Sequence, residues 1–143
     1  MIVLIIMKIL EKTKEIAFAF DKNLFPKNCL HLSCIFYKGR IVSIGQNSKK
    51  THPTNLRNPK INKDGVDISS FRGTCSEFSS INQLKRLTNI PTNKCSLVNI
   101  RINKNNEIRM SKPCNSCLGL LSFQKFGEVW FSDESGQFKQ LIV

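Results

Sequence analysis

EVWFS-DESG-QFKQLIV, residues 128–143, is the stretch that decides the fold. EVWFS (128–132) is short, apolar and β-prone. DESG (133–136) is a turn, and QFKQLIV (137–143) is a second β-prone run. Parallel neighbours in a sheet need a crossover of about a dozen residues or more. The DESG link is too short for that, so the last two strands are expected to be antiparallel neighbours.

Upstream of it, residues 114–126 read as a helix that Gly127 ends, and CSLVNIRI (95–102) as a strand. CSEFSSINQLKRL (75–87) has helical spacing through Phe78, Ile81, Leu84 and Leu87, broken by Pro91 and Asn93. Residues 46–70 are polar, with Pro53, Pro59 and Gly65, and read as a long loop. LHLSCIFY (30–37) and IVSIG (41–45) flank a Lys38-Gly39-Arg40 turn and read as a β-hairpin. KILEKTKEIAFAF (8–20) puts Ile9, Leu10, Ile16 and Phe20 near one face of an amphipathic helix. The order is helix, two strands, loop, helix, strand, helix, strand, strand. It predicts an α/β domain: a mixed five-stranded sheet covered by helices.

The chain has 143 residues and 41% hydrophobic residues. That suits one domain over residues 1–143 and excludes disorder of the whole chain. Lys and Arg outnumber Asp and Glu by 22 to 10, a net charge of +12. The excess points to a polyanionic partner. The competing reading is drift in a Lys-, Asn- and Ile-rich composition. The opening run MIVLIIM is far shorter than the roughly 20 residues that cross a bilayer, and no basic segment precedes it. No membrane partner is expected. Six cysteines would allow a disulfide scaffold, but Cys114 and Cys117 are spaced as C-x-x-C, and a reducing cytoplasmic or other intracellular setting is expected.

Two motifs fall at the starts of two predicted helices: Cys75-Ser76-Glu77 and Pro113-Cys114-Asn115-Ser116-Cys117. Zinc takes thiolates in a tetrahedron, and a catalytic site uses three protein ligands with the fourth position left for water. Helix N-termini favour thiolate over thiol. Cys75, Cys114 and Cys117 are therefore candidate ligands. Glu77 is placed to move protons without being a ligand. A structural four-ligand site is the rival, with Cys29, Cys34, Cys95, His31 or His52 as the fourth donor. Cys34 and Cys95, in predicted strands, read as small buried residues. Trp130 and Phe131 read as core.

The pairing of C-x-E with P-C-x-x-C resembles the cytidine deaminase superfamily, in its branch with three Cys ligands. The resemblance covers roughly residues 30–143. It implies a three-layer fold with helices on both faces of the sheet, Zn2+ as cofactor, and hydrolysis of the C–N bond of a cyclic amidine. The antiparallel last strands resemble the half of the superfamily that holds free cytidine deaminases and toxin-type polynucleotide deaminases, so cytosine is expected rather than adenine. Gly45-Gln46-Asn47 resembles a G-x-N after the second strand that often supplies a sugar-binding Asn, which implies that role for Asn47, with a turn residue as the alternative reading. Lys50-Thr51-His52-Pro53 is similar to a segment of viral or phage deaminase-like proteins. Ser76 stands where the superfamily usually has Ala, and Lys112 where it often has Ser.

Three functions follow: deamination of cytosine in single-stranded DNA or RNA; deamination of free cytidine, deoxycytidine or a nucleotide, an activity often carried by oligomers; or zinc-containing nucleic-acid binding without catalysis. For the first, Lys49, Lys50, Arg57, Lys60 and Lys63 are candidate phosphate contacts, and a plain solvated loop is the alternative. His52 is a candidate substrate contact or a turn residue before Pro53. Phe71 is a candidate for base stacking.

Overall fold

The computed structural model describes residues 2–25, 28–47, 75–87, 89–113 and 115–141. Helix α1 spans Ile2–Ala19. Strands β1 (Cys29–Tyr37) and β2 (Arg40–Gln46) form an antiparallel hairpin. Its two-residue turn has Lys38 at φ 53° and Gly39 at φ 75°. Positive φ at both central positions matches the right-handed twist of the flanking strands, and glycine adopts it without strain. Helix α2 spans Ser76–Leu84. Strand β3 (Cys95–Asn103) turns back into the two-residue β4 (Ile108–Arg109). Helix α3 (Asn115–Gln124) leads to β5 (Glu128–Ser132) and β6 (Phe138–Leu141).

The sheet order is β2-β1-β3-β5-β6, with β4 paired to the end of β3. β3 and β5 are parallel, joined across β4 and α3, and the other described pairs are antiparallel. The last two strands are antiparallel, as the DESG turn requires.

Alternation along the strands divides the core into two layers. On one side Leu30, Leu32, Cys34, Phe36, Val98, Ile100 and Ile102 pack against Ile9 and Ala17 of α1. On the other, Ile35, Leu97 and Val129 pack against Ile81 and Leu84 of α2 and Leu121 of α3. Helices thus cover both faces. Trp130 packs on the α1 side and its indole N–H donates to Glu128, whereas Phe131 is buried on the other face.

Three details differ from the sequence reading. Helix α1 begins at Ile2, not near residue 8, because an unbroken apolar run carries no 3.6-residue period to mark a start. Val3, Leu4, Ile5 and Met7 of that run are exposed. Helix α2 ends at Leu84, where Lys85–Leu87 form a turn. Strand β4, only two residues long, has no pattern to announce it. No helix among the described residues is long and apolar enough to cross a membrane.

Candidate functional site

Helix α2 sits on β2 through a glycine. A Cβ at Gly45 would lie 2.2 Å from the Ser76 carbonyl oxygen and 2.3 Å from the Ser80 backbone nitrogen. Only a residue without a side chain lets the first turns of α2 approach the strand this closely. The Ser43 hydroxyl adds a hydrogen bond to the Ser80 carbonyl at 2.6 Å. Together these fix the helix start that carries the first motif. Cys75 is its N-cap residue, half-buried, and Glu77 lies in the first turn, 4% exposed.

Beneath that turn the sheet is polar. Gly45, Ser33, Asn99 and Phe131 stand side by side across β2, β1, β3 and β5. The Ser33 hydroxyl donates to Asn99 Oδ1 and lies 2.9 Å from the Ser76 hydroxyl. Ser76 in turn donates to Glu77 Oε1 at 2.8 Å. The Asn99 side-chain amide reaches the Ser111 carbonyl at 3.4 Å. A buried hydrogen-bonded chain therefore runs from Glu77 into the middle of the sheet, where the low dielectric strengthens each link. It holds the carboxylate in one orientation.

The second motif is anchored by Ser111. Its hydroxyl donates to the Asn99 carbonyl at 2.9 Å and accepts the Ser132 backbone N–H at 2.7 Å. Its own backbone N–H donates to the Ser132 carbonyl at 2.9 Å. The segment entering Pro113 is thereby tied to the middle of β3 and the end of β5. Pro113 is buried, and Cys117, in the first turn of α3, is 3% exposed. Helices α2 and α3 touch on the same sheet face. Cys75 and Cys117 thus both belong to the starts of neighbouring helices, the setting that favours thiolates.

Cys114 lies outside the described residues, as do His52, Phe71, Lys49, Lys50, Arg57, Lys60 and Lys63. Among the described residues no three His, Cys, Asp or Glu side chains come together as a metal-holding group. Cys75 and Cys117 bring two thiols to the starts of neighbouring helices, with the buried carboxylate of Glu77 two residues after the first, a donor chemistry compatible with zinc.

Two of the possible fourth donors are elsewhere. Cys34 is on the α1 face, where burial pushes its thiol up to about 12 while the Thr13 hydroxyl pulls it down. Cys95 opens β3 opposite Tyr37, four residues and about 13 Å along the strand from Asn99, and burial raises its pKa too. Both are small buried residues, as their places in apolar strands suggested. Asn47 just follows β2. Its Oδ1 accepts the His31 backbone N–H at 2.9 Å, and its Nδ2 is 3.5 Å from the Cys29 carbonyl. The Asn47 backbone N–H also donates to the His31 carbonyl at 3.1 Å, so backbone and side chain together close the end of the β1–β2 ladder.

Sequence reasoning did not single out Ser33, Asn99 or Ser111. Ser33 and Asn99 did leave a trace, a polar residue at an inward position of an otherwise apolar strand (LHLSCIF and SLVNIRI). No protein-family model matches the chain. No curated protein matches it either.

Proposed function

We propose that the chain is a zinc-dependent hydrolytic deaminase of a cytosine-type base, with the cytidine-deaminase type of three-layer fold. The observation that carries this reading is the start of α2. A thiol at the N-cap and a carboxylate two residues later, buried and held by Ser76, lie on the same side of the sheet as the first turn of α3 with Cys117. The strand order and the antiparallel last pair support the same reading.

Cys75, Cys114 and Cys117 would hold the metal, which when bound acidifies a water molecule towards neutral pH. Glu77 takes a proton from the attacking water and delivers protons to the ring nitrogen and to the departing ammonia, leaving uracil. Ser76 keeps the carboxylate aimed during both transfers. Burial of Glu77 excludes bulk water that would otherwise compete for its protons.

The charge of +12 favours a polynucleotide substrate over a free nucleoside or nucleotide. The test is direct. Zinc content of the purified protein should be about one per chain. Incubation with cytidine, dCMP and a cytosine-containing single-stranded oligonucleotide should give uracil in at least one. Zinc without uracil in any arm would leave a zinc-containing nucleic-acid binder, and absence of zinc would remove the reading altogether.

A further inference from the structure

Two residues beyond Asn99 on β3, on the same face, stands Arg101, half-buried. Its Nη2 donates to the Cys29 thiol sulfur at 3.6 Å, a weak acceptor. Its Nε is buried and has no hydrogen-bond partner among the described residues. Nor does any carboxylate among them lie within ion-pair distance of it. Its register neighbours are His31 on β1 and Arg109 on β4. Arg109 is paired with the exposed Glu134 at 3.1 Å, so among the described residues the charge of Arg101 has no carboxylate to match it.

An arginine taken partly out of water without a counter-charge is costly, and Arg109, the residue opposite on the next strand, supplies none. The arrangement is relieved by an anion. A guanidinium with free N–H donors in a planar fork suits a phosphate better than a single-point acceptor. The position adds to this. Arg101 lies two residues, about 6–7 Å along the strand, from the Ser33–Asn99 row that supports Glu77. That separation is of the same order as that between base and phosphate in a nucleotide.

We infer that Arg101 binds a phosphate of the substrate, so that the site acts on phosphorylated cytosine compounds, either a nucleotide monophosphate or a strand phosphate, in preference to neutral cytidine. The inference rests on the deaminase reading for the identity of the base, but the anion site can be tested without turnover.

The experiment measures binding of dCMP, cytidine, inorganic phosphate and a single-stranded oligonucleotide to the wild-type protein, Arg101→Lys and Arg101→Gln by titration calorimetry. Thermal unfolding is followed with and without phosphate. The dCMP-to-cytidine or oligonucleotide-to-cytidine affinity ratio should fall about tenfold or more in Arg101→Gln and less in Arg101→Lys, since a charge-assisted hydrogen bond is removed. Without ligand, Arg101→Gln should melt no lower than wild type, because an uncompensated cation is gone. Phosphate should raise the melting temperature of wild type and not of the variant. A fall confined to dCMP identifies a free nucleotide as substrate, and a fall confined to the oligonucleotide identifies a strand. Unchanged ratios in Arg101→Gln, or a wild type that binds none of the phosphates, overturn the inference. Weakened phosphate binding in the variant of a protein that deaminates nothing would instead sink the deaminase reading and leave the anion site standing.

Discussion

Glu77 and Asp133 show how differently two carboxylates are used. Glu77 is buried in the first turn of α2, two residues after Cys75, and is held by the Ser76 hydroxyl. Glu77→Gln keeps the shape and the Ser76 hydrogen bond but cannot accept a proton. On the proposed deaminase reading it should retain zinc and fold while turnover falls by about 10²–10⁴. Metal analysis alongside a uracil assay checks this, and an active variant would mean that another group moves the protons. Asp133 caps the turn between β5 and β6. The Ser135 hydroxyl and the backbone N–H groups of Gln137 and Ser135, with Lys139 nearby, hold its carboxyl down from 3.8 to about 2, against the opposing effect of burial. A depressed folded-state pKa contributes stability that is fully present above about 4 and is lost as pH falls towards 2. Asp133→Asn should therefore show a shallower loss of thermal stability between pH 4 and 2 than wild type. Parallel melting curves over that range decide it.

At the scale of elements, the decisive packing is between β2 and α2. Gly45→Ala would press a methyl group onto the helix backbone at Ser76 and Ser80, where no flexible side chain can give way. The overpacking cost is about 1–3 kcal/mol or more. Because the displaced turn carries Cys75 and Glu77, the proposed zinc site predicts that zinc content should fall with the urea midpoint. A variant of wild-type stability and full zinc would show that α2 can ride higher on the sheet without harm to the site. The same logic explains Ser111. It sits between β3 and β5 with its hydroxyl and backbone both committed, so the segment before Pro113 has little freedom.

The whole molecule carries +12, and part of that charge falls between Lys49 and Lys63. If that basic segment grips a strand, neutralising Lys49, Lys50, Arg57, Lys60 and Lys63 together should weaken binding to a single-stranded oligonucleotide. It should also flatten the plot of log affinity against log salt by about 0.7 for each phosphate that the variant no longer neutralises. An unchanged slope would assign the excess charge to composition alone. Much of the architecture was legible beforehand. The element order, the hairpin about Lys38-Gly39 and the antiparallel β5–β6 pair follow from periodicity and link length, which are local properties of the chain. The spacing of Cys75, Glu77, Cys114 and Cys117 is equally local. The support of Glu77 is not. Ser33 and Asn99 are 66 residues apart, and Ser33 and Ser76 are 43 apart. An alternating pattern records which face of a strand is buried but not which strand lies next to it. Likewise a lysine- and arginine-rich sequence does not reveal that Arg101 would be half-buried with Arg109 opposite it and no carboxylate beside it among the described residues. Sequence by itself determined the order of the main helices and strands and the spacing of the candidate ligands, because both are local. Strand order and register, set by how two apolar layers close on one sheet, decided which polar groups meet beneath them.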